Sequence, residues 1–246
     1  MRGTTFFILF LYFRFAARCR TLGRSTSLEK LHNEHCNSRL PIPTFHHRNE
    51  LGNILEEEHF LTGAEVGVQQ GIFAERTLRT WPSCKKYVLI DLWMHQEHYR
   101  DSANVPQDEH TARKQQTLER LSPFVEAGII QVCQNFSTTC AKRFPDSFFD
   151  YIYIDARHDY LGVKEDLNAF WPKLKCGGIF AGHDYVTQPD LIAFGSKQNW
   201  TVNYDGTVDK TGLVVKGAVD EFAKEKQRQV IVSYRQLFWN SWAIRK

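Results

Sequence analysis

The 246-residue sequence predicts an α/β fold with a mostly parallel, doubly wound sheet, and three observations predict it. Short β-branched or apolar runs alternate with longer stretches of helical periodicity, the pattern of parallel strands joined by helical crossovers. Several of those runs end on an acid or a glycine turn, where open α/β sheets keep their ligand-binding groups. Composition is ordinary for a globular domain, 42% hydrophobic and 24% charged, which is enough apolar material for one sizeable core.

The elements follow in order. Residues 41–47 (PIPTFHH) read as a linker, because two prolines oppose regular structure. Residues 48–60 read as a helix with Leu51, Ile54 and Leu55 on one face, broken at Thr62-Gly63. A first strand is expected over 64–68, then a glycine turn and a helix over 72–81 closed by Pro82. Further strands are expected over 87–90, 129–133 and 149–154, with a helix over 110–121 between the first two. A helix over 160–171 keeps Val163, Leu167, Phe170 and Leu174 in step and stops at Pro172. Gly177-Gly178 is expected to turn the chain into a fifth strand at 179–181, and a helix follows over 216–227. Strands at 230–234 and 242–244 have only a short loop between them, which predicts an antiparallel hairpin. Together these make a Rossmann-like, seven-stranded sheet over residues 41–246. The polar, aromatic segment 187–215 breaks the alternation and reads as an insertion or lid over the site.

Charge and cysteines narrow the function classes. Five of the 31 basic residues lie in residues 1–28 with no acid, leaving 26 basic against 28 acidic side chains. A body so close to neutral has no electrostatic footprint for nucleic acid. The six cysteines form no C-x-x-C pair, so no zinc cluster is expected, and they read as reduced thiols packed as small hydrophobes. The apolar run 6–13 is far short of the ~20 residues of a membrane span. With its flanking arginines it resembles a secretory signal or an organelle transit peptide, and a misassigned start is a third reading. Residues 1–40 are therefore read as a targeting or disordered arm. Two glycosylation sequons occur, Asn135-Phe-Ser and Asn199-Trp-Thr. The first is expected beside the ligand site, where a glycan would block binding, which argues against a secretory lumen. Localisation is left between an organelle, the secretory route and the cytoplasm, and the oligomeric state is left open.

Four clusters carry chemistry. In Glu65-Val-Gly67-Val-Gln-Gln-Gly71, the glycines permit a tight turn and close backbone approach to a ligand. The spacing is not G-x-G-x-x-G, so a pyrophosphate fingerprint is not met. Asp91, ending the second strand, can accept hydrogen bonds from ribose hydroxyls or cap a turn. Asp155-Ala-Arg157-His158-Asp159 follows the fourth strand: Asp155 can ligate a cation or orient a cofactor, and His158 can take a proton near neutral pH. Arg157 can pair with an anionic substrate or a neighbouring acid, and Asp159 is expected to cap the next helix. Gly182-His183-Asp184 lies one strand over, so Asp155 and Asp184 can converge on one hard cation. Asn135 and Ser137, after the third strand, are placed to contact an adenine edge. Trp93, Trp171, Trp200 and Tyr185 are either acceptor-pocket or core aromatics.

AEVGVQQGIFAERTL resembles the first motif of class I S-adenosylmethionine-dependent methyltransferases, and VLIDLW resembles their acidic second motif. FDYIYIDARHDYLGVKEDLNAFWPKLKCGGIFAGHDY is similar to the fourth-to-fifth-strand block of the macrocin and sugar O-methyltransferase-like subgroup. The resemblance implies S-adenosylmethionine as cofactor, with Mg2+ as a second candidate. It implies cofactor contacts at Glu65, Gly67, Gly71 and Asp91, metal-binding acids at Asp155 and Asp184, and a catalytic base at His158. Where relatives often carry two adjacent acids after the fifth strand, this chain has His183-Asp184. A small-molecule hydroxyl acceptor is expected, with no nucleic-acid partner and no stable membrane span. The rivals are a nicotinamide-dependent oxidoreductase on a similar sheet and a non-catalytic module that keeps the fold. Against the first stand the missing third glycine and the lack of a Tyr-x-x-x-Lys pair. Against the second stand the intact acids and His158.

Overall fold

The computed structural model describes residues 41–246, so the arm expected over 1–40 lies outside the described residues. Seven strands form one sheet: β1 (Thr62–Val66), β2 (Lys86–Asp91), β3 (Ile130–Gln134), β4 (Phe149–Ile154), β5 (Leu174–Gly182), β6 (Val230–Val232) and β7 (Trp242–Arg245). Their order is β3-β2-β1-β4-β5-β7-β6, and β7 alone runs opposite to the other six. The expected hairpin is thus the β6–β7 pair, with β7 the strand that docks on β5.

Strand residues divide cleanly between two cores. Val88, Ile90, Ile152, Ile154 and Phe180 point to one face, against helices α6 (Tyr160–Phe170) and α8 (Val214–Glu225). Tyr87, Leu89, Tyr151, Tyr153 and Ile179 point to the other, against α1 (Leu51–Glu57) and α2 (Ile72–Arg79). Burial on both faces is why these strands are continuously apolar rather than alternating. Each fully buried aliphatic or phenyl side chain contributes about 1.5–3 kcal/mol. The remaining helices are α3 (Gln107–Arg120), α4 (Ser122–Glu126), α5 (Ser137–Ala141) and α7 (Gln188–Ala193).

Several sequence expectations need correction. The first helix opens with a 3-10 turn over Arg48–Glu50 and ends early, because His59 takes a left-handed φ of 56°. Thr62 and Gly63 begin β1 instead of separating it from the helix. Gly177-Gly178 lies inside β5, where the β4–β5 register slips between Phe149 and Tyr151. The glycines there mark a bulge rather than a turn.

The reduced-thiol expectation also fails. Cys133 and Cys140 form a disulfide across the β3–α5 junction, and Cys176 is disulfide-bonded as well. Among the described residues Cys84 alone is a free thiol, and burial pushes it up to about 12. No described helix is long and apolar enough to cross a membrane.

Candidate active site

Strand order reverses between β1 and β4, and beyond their carboxyl ends lies a cavity of about 430 Å³. This is the crevice in which open α/β sheets bind ligands. Two glycines shape its floor. Gly67 has φ 88°, and a Cβ there would sit 1.9 Å from the Asp155 carbonyl oxygen, so only glycine lets the β1 and β4 ends meet. Gly71 has φ 70° and precedes α2, but it lies behind the cavity wall, packed on Thr117 of α3. Gly71 therefore shapes the loop against α3, while its neighbours Gln70 and Ile72 line the cavity.

Of the expected residues, Glu65, Gly67, Asp91, Asn135, Ser137, Asp155, His158 and Asp184 all line this one cavity. Glu65 is buried, accepts from the Tyr87 hydroxyl at 3.0 Å, and has its carboxyl pushed well up by that burial. Asp91 Oδ2 accepts from the backbone N–H groups of Val68 and Gln69 at 2.8 and 2.9 Å, and Oδ1 from that of Trp93 at 2.7 Å. It holds the β1–α2 loop while keeping acceptor capacity on Oδ1. The Ser137 hydroxyl donates to Asp166, whose fully buried carboxyl is raised to about 6.

The far end of the cavity is a knot of charge. His158 Nδ1 lies 3.0 Å from Asp101 Oδ2, and Nε2 lies 3.0 Å from Asp184 Oδ2 and 3.6 Å from Asp155 Oδ1. Nε2 is nonetheless buried without a properly directed hydrogen bond. Each of these two carboxylates has its other oxygen held by a basic side chain. Asp155 Oδ2 accepts from Arg48 Nη1 at 2.9 Å, and Asp184 Oδ1 is 2.8 Å from His183 Nδ1. One oxygen of each therefore faces a shared centre, and with His158 these ligand atoms lie within 4.8 Å of one another. Burial alone would lower the His158 pKa, but Tyr99, Asp101, Asp155 and Asp184 outweigh it and raise it well above 6.5. Burial would raise Asp184, yet His183 and His158 hold its carboxyl well below the usual range.

Sequence reasoning missed Arg48, Tyr99, Asp101, His110 and Trp239. None sits at a strand end, so no positional signal marked them. Asp101 comes from the long β2–α3 connection and also accepts from Trp200 Nε1 at 2.7 Å. Trp200, from segment 187–215, stacks on the His158 ring at 4.3 Å. His110 is buried in the cavity wall, and its Nε2 has no partner. Arg157 pairs with Glu165 at 2.6 Å, and Asp159 caps α6 by accepting from Gly162 N–H at 2.9 Å. Trp171 packs against Phe180 and Phe222 in the core, and Tyr185 bonds Asp220, so neither faces the cavity.

Residues 64–185 match a family model described as a methyltransferase domain. The chain also resembles solved structures. One, from Staphylococcus aureus and described as a caffeoyl-CoA O-methyltransferase, aligns over 90% of this chain and 100% of its own, at 11% identity and TM-score 0.53. An O-methyltransferase family protein from Burkholderia thailandensis aligns over 90% of this chain and 57% of its own, at 13% identity and TM-score 0.55. An O-methyltransferase from Bacillus cereus, solved in complex with SAH, aligns over 92% of this chain and 94% of its own, at 11% identity and TM-score 0.51. At such identities the likeness is one of fold. Among curated proteins no sequence match was found.

Proposed function

We propose, from the premise that residues 64–185 form a class I S-adenosylmethionine-dependent methyltransferase domain, that the protein moves the sulfonium methyl group to a hydroxyl of a small-molecule acceptor. The observation that carries this reading is the single cavity. Its adenine-side residues, Asp91, Asn135 and Ser137, stand at the ends of β2 and β3, and the Asp155–His158–Asp184 knot stands at those of β4 and β5. The names of the structural neighbours support oxygen as the acceptor atom.

In this reading the β1–α2 loop cradles the methionyl part, and Asp91 Oδ1 and His110 Nε2 serve the ribose hydroxyls. Transfer is an in-line displacement: the acceptor oxygen bonds the methyl carbon as the carbon–sulfur bond breaks, leaving a neutral thioether. Holding the two reactants close and aligned supplies much of the rate. Asp155 Oδ1 and Asp184 Oδ2 are the oxygens fitted to a divalent cation such as magnesium, which takes carboxylate ligands. Such a cation, when bound, makes the acceptor hydroxyl more acidic and orients it. In its neutral form His158 would take the hydroxyl proton on Nε2, while Asp101 fixes its ring through Nδ1, as the carboxylate of a catalytic triad does. Trp200, from segment 187–215, stacks on the ring and shields that face from water.

The test separates base from ligand. His158→Ala should reduce S-adenosylhomocysteine release from a hydroxylated acceptor by roughly 10²–10⁴-fold. Its magnesium affinity, measured by calorimetry, should stay within a few-fold of the parent, whereas Asp184→Asn should lose cation binding. Full turnover in folded His158→Ala would remove His158 from catalysis.

A further inference from the structure

Two features of the chain stand outside the methyl-transfer chemistry: its cystines and its glycosylation sequons. Cys133–Cys140 is closed, Cys176 is also in a disulfide, and Cys84 is a buried free thiol. Stable structural cystines accumulate where the surroundings are oxidising and are rare where glutathione keeps thiols reduced. Neither the methyl transfer nor any described side chain near these cystines gives them a catalytic use.

The sequon Asn199-Trp200-Thr201 lies in the segment between α7 and α8. Asn199 is exposed. Its Oδ1 accepts from the Thr201 N–H at 3.1 Å and from the Thr201 hydroxyl at 2.7 Å. Its amide nitrogen, the atom to which an N-glycan is joined, makes no hydrogen bond among the described residues. Trp200, by contrast, is turned inward onto His158, so the sequon straddles the surface with its acceptor residue outside.

The sequon at Asn135 is built differently. Asn135 is half-buried in the cavity wall, and the Ser137 hydroxyl is committed to Asp166. Both belong to the short loop that Cys133–Cys140 closes, seven residues apart. A glycan on Asn135 would fill the cavity.

We propose that this chain matures in an oxidising secretory-type lumen and carries one N-linked glycan, on Asn199. Sequons of this form are acceptors in secreted proteins when they lie in surface loops. The donor is a lipid-linked oligosaccharide diphosphate supplied by the host's transferase. The bond from the sugar's anomeric carbon to Asn199 Nδ2 forms as the bond from that carbon to the phosphate oxygen breaks. The polyprenyl diphosphate leaves, and the amide proton passes to the transferase's base. The obstacle raised by the first sequon disappears, because Asn135 and Asn199 differ in access.

The experiment is expression of the full chain in cultured animal cells, followed by two readouts on the same sample. Peptide mass spectrometry after enzymatic glycan release in heavy-oxygen water marks each formerly glycosylated asparagine as a labelled aspartate. Thiol alkylation with and without prior reduction counts cystines. The expected result is a label at position 199 and not at 135, with Cys133, Cys140 and Cys176 alkylated only after reduction. In Asn199→Gln and in Thr201→Ala the gel shift on glycan release should vanish, and in Asn135→Gln it should persist. Alkylation of Cys133, Cys140 or Cys176 without reduction would overturn the compartment. Intact cystines with position 199 unlabelled, or a label at 135, would overturn the site.

Discussion

At the scale of single residues, His158 stands at the centre of the proposed chemistry. It is wrapped by Asp101, Asp155 and Asp184, so the folded chain holds its proton above the usual imidazole range. The raised value stabilises the fold fully below pH 6.5, and that contribution is lost as pH rises through the folded pKa. In the proposed reading a divalent cation would compete with the same proton for Asp155 and Asp184. Magnesium binding should therefore release protons and tighten as pH rises from 6 to 8, which calorimetry in buffers of different ionisation enthalpy reads directly. Affinity independent of pH would place the cation elsewhere. Asp166 shifts in the same direction, though its favoured protonated form is the neutral one. Its carboxyl is buried with Oδ2 unpartnered and is raised from 3.8 to about 6, so folding favours its protonated form. Stability then falls as pH climbs between those two values, by up to about 3 kcal/mol. Asp166→Asn keeps an acceptor for Ser137 and should flatten that slope, raising the urea midpoint at pH 7. An unchanged midpoint would mean the acid is solvated.

At the scale of elements, the loops after β1 and β4 are tied by contact. Gly67→Ala would drive a methyl into the Asp155 carbonyl and force a non-glycine residue to φ 88°, costing at least about 1–3 kcal/mol. Denaturant melts should show that loss together with weaker cofactor binding. Trp200→Ala should leave the sheet intact but free both His158 and Asp101, lowering turnover more than stability. The strands were legible from sequence because runs such as VLI at 88–90 and YIYI at 151–154 are buried on both faces. Asp91, Asp155 and Asp184 were legible because strand ends face the crevice. Gly177-Gly178 misled because a bulge and a turn use the same residues. Arg48 and Asp101 stayed hidden for a different reason. Each reaches His158 or Asp155 from an element more than fifty residues away in sequence, and only tertiary packing sets that approach.

At the scale of the whole molecule, the order β3-β2-β1-β4-β5-β7-β6 puts one ligand crevice at the point where the winding reverses. The proposed reading puts the nucleoside and the reacting methyl group at its two ends, with the Gly67–Gln70 turn lining the cavity between them. The cystines add a constraint that composition did not reveal, since cysteine spacing alone does not show which thiols meet. Cys133–Cys140 braces the loop carrying Asn135 and Ser137, so reducing it should weaken cofactor binding while the distant sheet edge at β6 and β7 is unaffected. The most direct test of the central claim is calorimetric titration of the oxidised protein with S-adenosylmethionine. Micromolar binding with one molecule per chain, sharply weakened by Asp91→Ala in a protein that still melts cooperatively, is the predicted result. A folded parent protein that takes up no S-adenosylmethionine, or an Asp91→Ala variant that binds it as tightly as the parent, would contradict the assignment of this cavity.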